Sequence, residues 1–197
     1  INGKAVVAGW DELGEAIEEP DAYKLYIDAI VSQFPEGIGN GITVAVDPGN
    51  GAACKTTPEI LRRLGCTVHT INAEFNGLFP NRLPEPSEEG LANLSALVQA
   101  TGAAFGVAHD GDADRAIFVD EKGTFMDGNI TFALLASYFA EKAGSGEIVT
   151  PVSTSGIVEA VGKEFGCTTA YTVVGSIYVA RTMRQELAEG KNVIIGG

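Results

Sequence analysis

The chain has 197 residues, enough for one large domain or two of about 100 residues, and its 45% hydrophobic and 20% charged content is ordinary for a globular protein. Its net charge of −13 argues against nucleic acid or an acidic membrane surface as a partner. No apolar run approaches the ~20 residues of a transmembrane helix, and residues 1–4 do not open a signal peptide. The three cysteines are odd in number and lack CxxC spacing, so we expect core residues in a reducing compartment, the cytoplasm.

Residues 1–20 carry only a weak pattern that ends in acidic residues, and they indicate a tail or linker. The absence of an initiating methionine suggests that the sequence was cut from a longer one. From 21 to 33, apolar residues recur at helical spacing and predict an amphipathic helix.

The next segment has the pattern of a strand, a helix and a second strand. The β-branched run 42–46 predicts a buried parallel strand, and 66–71 predicts the next one. Between them we expect Thr57 to cap a helix that has Pro58 at its first position and ends at Gly65. This is a βαβ unit with a right-handed crossover. The turn at 47–51 is rich in glycine but lacks the GK[ST] ending of a P-loop, so a plain turn is favoured over a phosphate site.

A proline-punctuated loop at 79–86 is followed by another helix and strand. Ser87 is the predicted cap, and the apolar face of the helix consists of Leu91, Leu94, Leu97 and Val98. Gly102 ends that helix, and the apolar run 103–108 is a strand that leads into the sequence DGDADR at 110–115. A further apolar run at 116–119 predicts a strand after it. Open parallel sheets bind ligands at this carboxyl edge.

The acidic turn places Asp110, Asp112 and Asp114 at alternate positions. Ionised carboxylates about 5 Å apart repel by roughly 3 kcal/mol per pair at an effective dielectric near 20. The cluster must therefore spread into water, hold a proton or close around a cation, and hard oxygen ligands suit Mg²⁺ or Ca²⁺. A metal site built from carboxylates alone would not require Arg115, but a metal ion and a guanidinium together would hold a phosphate group. A solvated acidic turn is the simpler alternative.

Two other readings of this turn are weaker. An EF-hand would use Glu121 at the twelfth position, but it requires glycine where Arg115 stands and helices on both sides, so we reject it. His109 adjoins the turn, and a lone histidine there is more often a strand-end residue than a ligand.

A second pattern of similar rhythm begins after a predicted hairpin turn at 120–123. Asp127 is the expected cap of a helix at 128–143, and strands are predicted at 148–150, 168–172 and 192–195, with helices at 157–165 and 177–189. The loops 153–156 and 174–176 each precede a helix and could bind anions, although capping alone explains them. The predicted fold class is therefore α/β, with two successive Rossmann-like α/β/α domains and mixed, mainly parallel sheets.

The motifs, taken together, resemble those of the α-D-phosphohexomutases, the family of phosphoglucomutase, phosphomannomutase and phosphoglucosamine mutase. DGDADR between two strands is similar to the metal-binding loop of that family. The run DPGNGAA at 47–53 resembles the first strand-turn of its second domain, and FPNRLPEP at 79–86 resembles its proline-rich loop. The run 172–179 is similar to the substrate-facing loop of its third domain, and the final Gly196-Gly197 to the start of its GGEENGG-type sugar-binding loop.

This resemblance implies a specific set of roles. Asp110, Asp112 and Asp114 would ligate Mg²⁺, Arg115 would hold the phosphoryl group in transit, and Gly175 and Ser176 would lie near the sugar. The family moves a phosphoryl group between the 1- and 6-positions of a hexose through a phosphoserine and a hexose bisphosphate. The implied domains are a tail or linker at 1–20, domain 2 at 21–126 and a truncated domain 3 at 127–197.

The resemblance also implies missing parts. The chain contains no TxSHNP-type run for the phosphoserine, and nothing in it corresponds to the fourth domain, so we expect an excerpt that lacks domains 1 and 4 and has no turnover alone. Two alternatives stay open: an Mg²⁺-dependent phosphatase with an aspartate nucleophile, and a non-enzymatic Ca²⁺-binding module. The phosphatase requires a helix after its DxD, where this sequence predicts a strand.

Overall fold

The structure, a computed structural model, describes residues 7–197. The first six residues of the predicted tail lie outside the described residues, and 7–21 contain turns but no helix or strand. None of the helices in the described range is both long and apolar enough to span a membrane.

The first unit contains three helices and a five-stranded sheet. The helices are α1 (Ala22–Val31), α2 (Thr57–Arg63) and α3 (Ala92–Thr101), with short 3-10 turns at Ala52–Cys54 and Glu89–Leu91. The strands are β1 (Thr43–Asp47), β2 (Thr67–Thr70), β3 (Phe105–His109), β4 (Ala116–Val119) and β5 (Phe125–Met126). These bounds agree with the predicted elements to within one to three residues at most ends.

The sheet of this unit has the order β2-β1-β3-β4-β5. Strands β1, β2 and β3 are parallel, as expected for a βαβ unit, whereas β4 and β5 run antiparallel as a hairpin around the predicted turn. The carboxyl ends of β1 and β3 therefore lie side by side, with Asp47 opposite Ala108. This edge carries both the glycine-rich turn and the acidic loop.

Each face of this sheet is covered by a helix, because its buried strands alternate apolar side chains on both sides. Ala45, Ala108 and Val119 pack against Leu94 and Val98 of α3. On the opposite face Val44, Val46 and Val107 pack with Leu61 of α2. The unit is thus an α/β/α sandwich.

The second unit repeats the architecture on a smaller scale. Its helices are α4 (Gly128–Ala143), α5 (Ile157–Glu164) and α6 (Ser176–Ala188), and its strands are β6 (Glu147–Pro151), β7 (Thr168–Thr172) and β8 (Val193–Gly196). The sheet order is β7-β6-β8, and all pairs are parallel. Ile148 and Val158 lie in a core with three alanines of α4, while α6 covers the other face beside β6 and β8. The predicted α/β class with mainly parallel sheets is confirmed.

Three predicted caps can be compared with the structure. Asp127 caps α4 as expected, since its carboxylate accepts a hydrogen bond from the Asn129 backbone at 2.8 Å. Ser87 caps only the 3-10 turn before α3, through the Gly90 N–H. The prediction for Thr57 was wrong: it is the first residue of α2, and its hydroxyl contacts His109 instead of the helix backbone.

The three cysteines are free thiols. Cys54 and Cys167 are buried and Cys66 is half-buried, which agrees with the expected small core residues. Burial raises the pKa of all three thiols, so each stays protonated at neutral pH.

Candidate metal and phosphate site

The acidic loop leaves the carboxyl end of β3 and returns through β4. Asp110 is buried, while Asp112 and Asp114 are exposed. The backbone at Ala113 has a positive φ of 64°, and its N–H donates to the Asp110 carbonyl at 3.2 Å, which closes a tight turn. This turn directs all three carboxylates toward one point.

The three carboxylates form a cluster with the composition of a cation site. Each offers an oxygen, and these atoms lie within 4.8 Å of one another. Opposite ligands are about 4.2 Å apart around Mg²⁺ and about 4.6–5.2 Å apart around Ca²⁺. The three oxygens lie no more than 4.8 Å apart, so the exposed side chains of Asp112 and Asp114 need only small adjustments to ligate either ion. The donor set therefore fits a hard divalent cation.

Asp110 is held in its ionised form. Its burial alone would raise the pKa, but the Arg115 backbone N–H donates to Oδ1 at 3.0 Å, and the guanidinium lies 3.4 Å from Oδ2. These interactions outweigh burial, so the pKa of Asp110 lies below its usual value. The buried carboxylate is thus charged, and the backbone and side chain of Arg115 orient it.

Arg115 occupies the outer side of the cluster. Its guanidinium contacts Glu85 of the proline-rich loop, and its Nε lies 3.5 Å from Asp114. The side chain is about half exposed, so the planar fork of N–H donors is accessible to a phosphate from solvent.

His109, which the sequence discounted, connects this loop to α2. Its Nδ1 is 2.9 Å from the Arg115 carbonyl oxygen and its Nε2 is 3.0 Å from the Thr57 hydroxyl. Burial lowers the pKa of the ring, although the Arg115 carbonyl and Asp110 oppose that effect. The neutral ring therefore braces the loop and is not directed into the carboxylate cluster.

A buried ion pair holds the proline-rich loop against the end of β1, next to the acidic loop. The Arg82 Nε donates to Asp47 Oδ2 at 2.9 Å, and both side chains are at most 3% exposed. Asp47 is the last residue of β1, so this pair joins the proline-rich loop to the sheet edge that carries the acidic loop.

The glycine-rich turn after β1 packs directly on the acidic loop. The Ala52 N–H donates to the Gly111 carbonyl at 3.0 Å, and a β-carbon at Gly51 would lie 2.4 Å from the same oxygen. On its other side, Gly111 faces Phe79 and Pro84 of the proline-rich loop. Three segments that are far apart in the sequence therefore converge on one site.

The second unit faces Arg115 across a cleft of about 580 Å³. The cleft is lined on that side by Asn129, Phe132, Ser153 and Thr154. The Asn129 side chain accepts a hydrogen bond from the Ser155 N–H at 2.8 Å and so fixes the loop that carries the two hydroxyls. The cleft thus combines a cationic side with a hydroxyl-bearing side.

Gly175 and Ser176 line a neighbouring cavity of about 350 Å³ and not the one beside Arg115. Their cavity is mostly apolar, with Val179 and Met183 on its wall. Gly197 borders both cavities, so the two spaces adjoin at the carboxyl edge of the second sheet.

Arg82, Asp47, Glu85 and Asn129 were not among the predicted site residues. Arg82 could have been predicted as a site residue because it is a basic residue in a rigid proline-rich loop. Asp47 could have been predicted because it ends a parallel strand at the same carboxyl edge of the sheet as the acidic loop. The segment after the acidic loop is strand β4, antiparallel to β3, and not the helix that an aspartate-nucleophile phosphatase requires.

The chain matches two family models in succession. The phosphoglucomutase/phosphomannomutase α/β/α domain II matches residues 24–123, and α/β/α domain III matches residues 127–197. Together the matches cover most of the sequence.

Individual relatives give a consistent result. A phosphoglucomutase/phosphomannomutase of Thermococcus kodakarensis is 44% identical over 96% of this chain, and a probable phosphoglucosamine mutase of Methanopyrus kandleri is 37% identical over 94%. The chain spans only 41% of the length of each of these relatives. Among solved structures, a putative phosphomannomutase from Thermus thermophilus has a TM-score of 0.77 and 26% identity, covering 94% of this chain and 42% of its own. A phosphoglucomutase/phosphomannomutase family protein from Burkholderia thailandensis gives a TM-score of 0.76 and 26% identity, covering 83% and 35%.

Proposed function

Because the chain belongs to the phosphoglucomutase/phosphomannomutase family, we propose that it supplies the metal- and phosphate-binding part of a hexose-phosphate mutase. The observation that carries the proposal is the convergence of Asp110, Asp112 and Asp114 with Arg115 in one loop that faces a cleft. The proposed reaction moves a phosphoryl group between the 1- and 6-positions of a hexose.

The carboxylates of this loop are proposed to hold Mg²⁺. Bound there, Mg²⁺ would offset negative charge on the phosphoryl oxygens, the main requirement of phosphoryl transfer. Arg115 would hold further phosphoryl oxygens through its N–H fork, which reaches beyond the carboxylates toward solvent. The carboxylates of Glu85 and Asp114 contact the same guanidinium.

The cleft between the units is proposed to receive the sugar phosphate. Its volume of about 580 Å³ lies within the range of about 300–1,000 Å³ typical of small-molecule sites. Ser153 and Thr154 lie opposite Arg115 and would hydrogen-bond the sugar hydroxyls. Gly175 and Ser176, in the adjoining cavity, would contact a more distant part of the substrate.

The division of labour within a longer protein is also a proposal. Residues 21–126 would form domain II with the metal loop, and 127–197 would form most of domain III. None of the 197 residues forms a TxSHNP-type phosphoserine run, so that serine would come from chain outside this sequence. We expect the purified chain to convert no glucose 1-phosphate to glucose 6-phosphate, and detectable conversion would overturn this part of the proposal.

Calorimetric titration of the chain with Mg²⁺, Mn²⁺ and Ca²⁺ tests the metal site. We expect binding that weakens at least tenfold, or about 1.4 kcal/mol, in Asp112→Asn and Asp114→Asn. Glu121→Gln, which removes an exposed charge outside the cluster, is the matched control and should bind as the wild type does. Equal affinity in all variants would contradict the proposed metal loop.

A second titration addresses phosphate. Inorganic phosphate and glucose 6-phosphate are expected to bind more weakly to Arg115→Gln than to the wild type in the presence of Mg²⁺. Two outcomes would favour the alternative functions. A phosphoaspartate mimic trapped with beryllofluoride would indicate a phosphatase, and strong Ca²⁺ preference without any effect of sugar phosphate would indicate a calcium-binding module.

A further inference from the structure

We infer that Arg82 is a positioning residue for the acidic loop: its guanidinium fixes the backbone from which the three carboxylates project. This inference rests on the proposed function, since positioning matters only if the loop binds a metal and phosphate. Arg82 itself is buried beneath the loop and has no access to a ligand in the cleft. It therefore acts through other residues.

The guanidinium is connected to three chain segments at once. Its Nη2 donates to the Asp47 carbonyl at 3.2 Å and to the His109 carbonyl at 2.5 Å, in addition to the ion pair between Nε and the Asp47 carboxylate. Its Nη1 donates to the carbonyls of Leu83 and Pro84 at 3.0 and 3.3 Å. The donors of the fork thus join the ends of β1 and β3 to the proline-rich loop.

The contact with His109 is the one that concerns the metal site. His109 is the last residue of β3, and its carbonyl carbon is bonded directly to the nitrogen of Asp110. The hydrogen bond to this carbonyl fixes the backbone position of Asp110, the buried carboxylate of the cluster. The Asp110 carboxylate in turn accepts a hydrogen bond from the Arg115 N–H at 3.0 Å. Arg82 therefore acts on the position of both the carboxylate cluster and Arg115.

The same fork also positions the residue that contacts Arg115 from outside. By holding the carbonyls of Leu83 and Pro84, Arg82 fixes the chain immediately before Glu85, whose carboxylate contacts the Arg115 guanidinium. Arg82 thus positions two of the carboxylates that contact Arg115, Asp110 from the acidic loop and Glu85 from the proline-rich loop.

Lysine cannot replace this arrangement. A lysine ammonium is a point charge with three donors, whereas the rigid guanidinium plane carries five N–H groups in fixed directions. The network is also closed around Asp47, whose Oδ1 accepts from the Gly49 N–H at 2.8 Å and from the Asn72 amide at 3.0 Å. A buried carboxylate with all partners in place favours one conformation of the three segments.

The test compares Arg82→Lys and Asp47→Asn with the wild-type chain by two independent measurements. The first is amide hydrogen exchange of the metal-free protein at Ala113 and Arg115, whose N–H groups both bond to Asp110. The second is Mn²⁺ and Mg²⁺ affinity by calorimetry. We expect at least tenfold faster exchange at these two amides and a loss of about 10- to 100-fold in metal affinity, the range typical of residues that orient metal ligands.

Val98→Ala is the matched control, because it destabilises the same unit from the core cluster under α3. A purely structural role for Arg82 would make its variants behave like Val98→Ala, with lower thermal stability but wild-type metal affinity and no selective change at 110–115. That result would overturn the inference. If Arg82→Lys does not fold, the hydrogen exchange and metal affinity of Asp47→Asn test the inference in the same way.

The two readouts also separate this inference from the proposed function. If the wild-type chain binds no metal, the proposed metal loop fails, and hydrogen exchange still decides the role of Arg82. If the wild type binds metal and both variants bind it equally well with unchanged exchange, the proposed function survives and the inference about Arg82 fails.

Discussion

Thr57 and His109 are joined by a hydrogen bond of 3.0 Å between the hydroxyl Oγ1 and the ring Nε2. The bond crosses from the first residue of α2 to the last residue of β3. Because the Arg115 carbonyl can only accept, the histidine Nδ1 must carry a proton, and in the neutral ring Nε2 then accepts from the Thr57 hydroxyl. With a neutral ring the Thr57 hydroxyl is therefore the donor, and with a charged ring Nε2–H would donate to the same oxygen.

This histidine should make stability depend on pH. Burial lowers the pKa of His109 in the folded chain, so the unfolded chain binds the proton more readily. Stability is therefore fully present above the unfolded value of about 6.5 and is lost as the pH falls through the folded pKa. Urea unfolding in EDTA at pH 7.5, 6.5 and 5.5 should show this loss in the wild type and a smaller one in His109→Gln. The exposed His69 is unchanged in both proteins, and equal pH slopes would contradict the prediction.

A second prediction concerns Glu85, whose carboxylate contacts the Arg115 guanidinium. Glu85→Gln removes a negative charge beside the proposed phosphate site and frees the N–H fork. We expect inorganic phosphate to bind about two- to five-fold more tightly in the presence of Mg²⁺, since exposed ion pairs are weak. The gain should shrink at high salt because of screening.

The control for this prediction is Glu88→Gln, which removes the same charge from an exposed position three residues further along. Calorimetry or NMR titration measures both variants. Equal affinities in the two glutamine variants would mean that net charge alone, and not the contact with Arg115, sets the phosphate affinity.

The elements predicted well from the sequence are those whose signals are local. The β-branched run of β1 and the Asp127 cap of α4 need only neighbouring residues, and both were confirmed. Thr57 failed as a cap because its hydroxyl has a tertiary partner 52 residues away. Arg82 could not be found by spacing for the same reason, since Asp47 lies 35 residues before it. The carboxylate cluster could be predicted from the sequence because its members are two residues apart. The side chains that support it come from distant parts of the sequence and could not be predicted in this way.

The third prediction uses the close approach of Gly51 to the acidic loop. A β-carbon at Gly51 would lie 2.4 Å from the Gly111 carbonyl oxygen, which is backbone and cannot rotate away. Gly51→Ala should therefore displace the loop, cost about 1–3 kcal/mol of unfolding free energy and weaken metal binding. Urea unfolding and metal titration measure the two effects.

Gly77→Ala is the comparison for Gly51→Ala, because a β-carbon at Gly77 meets nothing within 4 Å. Its free energy of unfolding should stay within about 0.5 kcal/mol of the wild type. Similar losses in both alanine variants would show that glycine flexibility, and not the contact with Gly111, is responsible.

The last prediction concerns the far side of the cleft. Asn129 accepts the Ser155 N–H at 2.8 Å, and this bond holds the loop that presents Ser153 and Thr154 toward Arg115. Asn129→Ala removes this acceptor, together with the bond from the Asn129 side-chain amide to the Asp127 carboxylate at 2.7 Å. If the cleft receives a sugar phosphate, NMR titration with glucose 6-phosphate should show weaker binding in the alanine variant. Gln185→Ala, an exposed change on α6, should bind as the wild type does. Wild-type affinity in Asn129→Ala would place the sugar elsewhere, while the metal loop would remain testable by its own titration.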